Sequence, residues 1–330
     1  MKLLKTLAFI FVLFLNNLQL NAQHLENCTW HTLETKGQPV QRHEAAFIEA
    51  NGKLHLCGGR GIRPVSIFNP KNNTWSKGAK PPIELHHFEG IAYKNKILIA
   101  GAFTGPYPRE TPVSHVYFYH PKKDKWTKEF KIPKDRRRGA AMAKIYQNKL
   151  YLICGIQDGH WDGHVNWFDV YDFKTKKWEQ LPNAPRARDH AASVIVNDKL
   201  YLLGGRRSSG KIKKVFHLTV PEVDVFDFKT QQWSSLPQPV PTQRAGCMAV
   251  AFGDKILFAG GETIRQKLAH NEVECYDTST ETWSTLQPLN RGRHGSQLIL
   301  YKNKVYTASG SGNRGGSPEL KSIEVFELKK

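Results

Sequence analysis

The chain has 330 residues, 40% of them hydrophobic, with 48 Lys and Arg against 29 Asp and Glu and a formal net charge of +19. That apolar content supports a folded core and excludes a wholly disordered chain. Five Cys are too few for a disulfide-built scaffold, and the charge points to anionic partners without specifying a fold.

Residues 1–22 read as an export signal. Lys2 and Lys5 precede an apolar run from Leu7 to Leu15, and Ala22 offers a small residue for cleavage. The run is far shorter than the ~18 residues of a membrane span, and no second long apolar stretch follows. The expectation is an exported protein, periplasmic or secreted, whose mature domain covers residues 23–330. Removing the leader leaves 46 basic against 29 acidic residues, so the basic character belongs to the mature chain.

From there the sequence repeats. Trp30, Trp75, Trp126, Trp178, Trp233 and Trp283 are spaced by 45, 51, 52, 55 and 50 residues. Between them the same order recurs: an apolar run, a turn such as Asn51-Gly52-Lys53 or Asn148-Lys149, and a second run ending in glycine. A third run, for example Val223–Asp227, alternates apolar and polar residues before the Trp strand. These signals predict hairpin-linked strands, four to a unit, in an all-β propeller. The segment Cys28-Thr29-Trp30 matches Asn73-Thr74-Trp75, while Trp283 is followed by three strands without a further repeat Trp. A single six-bladed domain follows, with the N-terminal strand supplying the outer strand of the last blade. The six Trp are expected to pack between blades.

This pattern resembles the Kelch repeat family, whose unit carries Gly-Gly after the second strand and Trp in the fourth. Gly58-Gly59, Gly204-Gly205 and Gly260-Gly261 match fully; Ala100-Gly101, Cys154-Gly155 and Ser309-Gly310 depart at the first position.

Candidate chemistry gathers in two sets of connections that emerge on one face. Those entering the first strands carry Arg42, His43, His86, Arg138, Arg188, His190, Arg244, Arg293 and His294. An Arg precedes the first glycine-pair position by sixteen residues in five blades; in blade two that spacing falls on Glu84. In Kelch proteins of this kind, such Arg residues often line the mouth of the central channel. The connections leaving the second strands add Arg206 among other basic residues, so a basic funnel around the axis is expected. Arg forks suit carboxylate, sulfate or phosphate, although they also brace loops by donating to carbonyls. The loop Asp158–Trp167 adds His160, Trp161 and His164, a combination suited to stacking on a sugar and moving protons.

Glu262 and Arg265, following Gly260-Gly261, resemble a Glu and Arg that Kelch-like sialic acid mutarotases carry after a blade glycine. That resemblance implies proton transfer by Glu262 while Arg265 holds the substrate carboxylate. The expected function is therefore recognition of an anionic saccharide or a protein partner through a basic central face. The alternative is an enzyme acting on an acidic sugar, either a mutarotase or epimerase or a polysaccharide lyase. Neither Cys-x-x-Cys nor zinc spacing occurs, which disfavours redox or zinc chemistry; a His/Asp metal site in the loop Asp158–Trp167 is the alternative to the expectation of no metal and no cofactor. No groove-reading motif occurs, and nucleic acid is not an expected partner.

Overall fold

The computed structural model describes residues 25–328, so the proposed export signal lies outside the described residues. Six four-stranded antiparallel sheets are arranged as the blades of a propeller. Blade three is representative: Met142–Tyr146, Lys149–Ile153, Phe168–Asp172 and Lys177–Leu181 pair in chain order. The first hairpins turn on pairs such as Lys94-Asn95, Gln147-Asn148 and Asn197-Asp198, both residues with positive φ. Such turns match the twist of the strands they join. In blade six, Cys28–Thr32 pairs with Ile323–Leu328, so the N-terminal strand closes the ring. Among the described residues no helix is long and apolar enough to cross a membrane.

The cores lie between blades. One apolar cluster joins Ile48, Cys57 and Val65 of blade one to Ile97, Ile99 and Tyr119 of blade two. Trp indoles reach back across the same boundaries: Nε1 of Trp126, Trp178 and Trp233 donates to the carbonyls of Ala79, Lys131 and Pro182 at 3.1, 2.8 and 2.8 Å. Each blade therefore depends on its neighbour for the burial of both faces.

The sixteen-residue Arg spacing has a direct structural cause. Arg42, Arg138, Arg188 and Arg293 each donate to the carbonyl at the first glycine-pair position, at distances of 2.8–3.0 Å. Arg244 donates to the carbonyl of Phe258 at 3.1 Å, two residues before that position. All five side chains are fully buried. Four also meet a carboxylate on the third strand of the same blade: Asp169, Asp224, Glu274 and Glu324. Arg42 uses the carbonyl of Pro64 and the hydroxyl of Ser66 instead.

Blade two departs by one residue from the sequence register. Gly101, with φ near +63°, takes the first left-handed position, and Ala102 follows it. Counting back sixteen then reaches Leu85, not Glu84. Backbone pairing agrees: Gly59 N donates to Leu85 O just as Gly155 N donates to Arg188 O. Opposite Leu85 the third strand carries Tyr117 where blades three to six carry a carboxylate, so this blade replaces the ion pair with apolar packing.

Candidate functional site at the propeller axis

Two residues beyond each Arg, or beyond Leu85, the chain reaches the axis. These positions are Glu44, His87, Ala140, His190, Gly246 and Gly295, all with φ between +46° and +63°. Their backbones form a closed hydrogen-bonded ring. His87 N donates to Glu44 O, Ala140 N to His87 O, His190 N to Ala140 O, Gly246 N to His190 O and Gly295 N to Gly246 O. Ala45 N completes the circle by donating to Gly295 O at 3.1 Å. Glycine takes this conformation freely, whereas an L side chain costs roughly 1–2 kcal/mol there. Four of the six positions nevertheless carry a side chain, the polar Glu44, His87 and His190 and the small Ala140.

Above this ring lies a cavity of about 350 Å³, lined in part by Glu44, His87, His160, Arg206, Glu262 and His294. Two short hairpins fold across it. Phe103–Thr104 pairs with Thr111–Pro112 in blade two, and Ile156–Asp158 pairs with Asp162–His164 in blade three. The first supplies Tyr107 and Glu110, the second His160. His160 N donates to Pro108 O at 2.8 Å, tying the hairpins together. Gly159 is required at this junction: a Cβ there would lie 2.2 Å from the Glu110 carboxylate.

Ionised groups of both signs meet in the walls. Glu262 accepts from Arg206 at 2.7 Å and from Gly315 N at 2.8 Å, and lies 3.4 Å from His294. Burial works against the charge, but His294 and Arg206 hold the carboxyl down at about 2. Burial likewise opposes charge on His294, yet Glu262 and Glu44 raise it to about 9. His294 is therefore a fixed cation between two carboxylates. Glu110 is pushed to about 2 against the effect of burial by His160 and Arg60, and Asp189 to about 2 in the same way by His190 and Arg206. His87 lies well below the ordinary histidine range because burial, helped by the neighbouring imidazoles, outweighs Glu44. His160 is lowered chiefly by burial, against the pull of Glu110.

The cation at His294 has a measurable signature. Its pKa rises from an ordinary ~6.5 to about 9 on folding. Its stabilising contribution is thus complete below pH ~6.5 and lost as pH climbs through about 9. Urea unfolding at stepped pH is expected to show a wild-type advantage over His294→Gln that fades across this window. An advantage that grows with pH would contradict the assignment.

The structure divides the sequence candidates into groups. His160, His190, Arg206, Glu262 and His294 converge at the axis, with His43 at the cavity edge held by Glu319 at 2.8 Å. His86 stands behind His87, their Nδ1 atoms 2.5 Å apart. Arg42, Arg138, Arg188, Arg244 and Arg293 point into the blades, where carbonyls and carboxylates occupy their forks. Arg265 is exposed on its loop, and the guanidinium beside Glu262 belongs to Arg206 of the preceding blade. Trp161 sits half-buried at the hairpin tip, 4.4 Å from the Arg109 guanidinium. His164 faces a separate groove with Arg186 and Arg207. Glu44, His87, Glu110 and Asp189 are the site residues that the repeat spacing alone does not single out.

Closed blades, the braced glycine pairs and an axial polar cavity define a six-bladed propeller of the Kelch type. The sequence matches the KLHDC2/KLHL20/DRC7 Kelch-repeats domain over residues 14–205 and 86–310, and the chain belongs to the Kelch-repeat family. It is 30% identical over 316 residues to the Kelch-like protein terF of Aspergillus terreus (strain NIH 2624 / FGSC A1156), covering 90% of this chain and 66% of that protein. Alpha-scruin of Limulus polyphemus is 28% identical over 204 residues, covering 59% of this chain and 21% of the scruin. Among solved structures, the one titled "Structure of YjhT" superposes with a TM-score of 0.73 at 16% identity, over 88% of this chain and 96% of that one. That likeness concerns the fold.

Proposed function

We propose that the chain binds a small anionic saccharide in the axial cavity and catalyses proton transfer on it. The observation that carries this reading is the placement of strain. Left-handed backbone is costly at Glu44, His87, Ala140 and His190 where Gly246 and Gly295 fill the same role freely, and three of those four costly positions hold ionisable side chains turned to one axial site, as strained functional residues do. A cavity of about 350 Å³ suits one sugar unit better than a polymer. Arg60 and His43 line the cavity, each paired with a carboxylate of the protein, Glu110 and Glu319, for which a sugar carboxylate would compete, while the imidazoles of His87 and His160 line it with His190 beside them. Glu262, held ionised by Arg206 and His294, orients those cations instead of carrying a proton at neutral pH. Export through residues 1–22 belongs to the same proposal.

The test is proton NMR of sialic, glucuronic and galacturonic acid anomers with protein purified after expression with its leader. Binding and accelerated anomer exchange are expected for at least one acid, weakened in His160→Ala, from a mature chain whose N-terminus reads near residue 23. No binding across the panel, or unchanged exchange in His160→Ala, would overturn the sugar reading; an intact Met1 would overturn export.

A second reading has its own support. Ile62, Tyr107, Ile212, Ile264 and Leu268 are 40–58% exposed on the loops of the cavity face. Exposed apolar groups gathered around one opening favour a protein partner there.

A further inference from the structure

We infer that His87, His160 and His190 form a binding site for a single divalent transition-metal ion, zinc or a first-row neighbour, on the propeller axis. The ion would sit in the cavity just described, whether or not a sugar binds there. The three imidazoles come from three separate connections, and their available ligand atoms all lie within 4.8 Å of one another. Ring centres form a nearly equilateral triangle, with sides of 4.9, 5.0 and 4.9 Å and the rings steeply tilted to one another. An ion bound about 2.0–2.1 Å from each nitrogen at tetrahedral angles would set ring centres roughly 5 Å apart.

Hydrogen bonding selects the tautomers such a site needs. His160 Nδ1 donates to Glu110 at 3.0 Å, and His190 Nδ1 donates to Asp189 at 2.5 Å. His86 donates from Nε2 to Gly105 O at 3.2 Å, which leaves its Nδ1 to accept from His87 Nδ1. All three clustered residues therefore keep Nε2 as a lone pair. Nε2 of His190 is buried and makes no hydrogen bond, an arrangement that costs free energy in an apolar or crowded wall unless an ion takes it. Carboxylates behind metal-bound imidazoles are the usual orienting partners, and Glu110 and Asp189 are both fully buried in that position.

Three imidazoles leave one position for water or a ligand oxygen, as in catalytic rather than structural zinc sites. Glu44, 3.6 Å from His87 Nε2, is placed to accept a hydrogen bond from a water on the ion. An ion here would polarise a carboxylate or hydroxyl oxygen of the bound sugar.

The experiment uses tag-free full-length protein stripped with a chelator, titrated with Zn²⁺ by calorimetry and with Co²⁺ by visible absorption. One ion per chain is expected, with a micromolar or tighter dissociation constant and the visible bands of four- or five-coordinate Co²⁺. His160→Ala and His190→Ala should weaken binding at least 100-fold, and Glu110→Gln about 10–100-fold. Ala140 occupies the ring position equivalent to His190 at φ +46°, so alanine fits there, and circular dichroism checks the fold. The exposed Arg265→Ala variant should bind as the wild type does. Absence of stoichiometric binding, or wild-type affinity in folded His190→Ala, would overturn the site. Sugar binding by the stripped protein without metal uptake would sink this inference and leave the sugar reading standing; metal uptake without sugar binding would do the reverse.

Discussion

Arg244→Leu is expected to destabilise the propeller by about 3–5 kcal/mol, lowering the melting temperature on the order of 10 °C. The substitution removes the cation from a pair held 2.7 Å from Glu274, with both side chains essentially inaccessible. It also strands the carbonyls of Thr242 and Phe258, which accept from the guanidinium at 2.8 and 3.1 Å. What remains is a buried carboxylate without a partner, and that stranded charge, more than the lost attraction, dominates the cost. Blade two contains the remedy. There Leu85 replaces the Arg and Tyr117 stands in the register of the carboxylate, both within one apolar cluster. The double variant Arg244→Leu with Glu274→Tyr should therefore recover much of the loss, because no charge is left to desolvate. Thermal unfolding of the two single variants and the double variant decides this. Additive losses in the double variant would show that the carbonyl braces, and not the carboxylate, carry the effect.

That brace also shows what the sequence makes legible. Within one repeat, fixed spacing reports contacts made inside one blade, so the sixteen-residue interval from Arg to the glycine pair is visible in the residue order alone. Its purpose is less visible, because a fork that binds carbonyls and one that binds a ligand have the same sequence. Blade two shows the limit of counting: Ala100-Gly101 looks like a degenerate Gly-Gly, yet Gly101 alone takes the left-handed first position. The axial site depends on contacts between blades. Arg206 reaches Glu262 across 56 residues, and Arg60 reaches Glu110 across 50, so neither pair has a local motif. One signal was present. Gly246 and Gly295 follow Arg244 and Arg293 by two, and the same offset from Arg42 and Arg188 reaches Glu44 and His190. Large polar residues at an offset where other blades place glycine or, after Arg138, Ala140 mark the site more sharply than the basic charge does.

The same offset supports a separation of function from stability. With the acidic-sugar activity proposed above, His190→Ala is expected to lower turnover at least 100-fold while leaving the melting temperature within a few degrees. Most buried histidines could not be cut back so cheaply, since truncation leaves a cavity and broken hydrogen bonds. Here the backbone needs only a residue that tolerates φ near +52°, and Ala140 holds the equivalent place in blade three at +46°. Asp189, deprived of the His190 imidazole, keeps the N–H and hydroxyl of Ser208 at 2.8 and 2.7 Å. His190→Gly should go further and be about 1 kcal/mol more stable than the alanine variant, because it relieves the left-handed strain that Gly246 and Gly295 never incur. Parallel measurement of anomer exchange and thermal unfolding tests both halves. Full turnover in His190→Ala would remove the imidazole from the chemistry, whereas collapse of the fold would mean that the ring needs its side chains and not merely its backbone. A variant that is inactive yet as stable as the parent, with glycine more stable than alanine, would show that the strain at this position is maintained for the imidazole it carries.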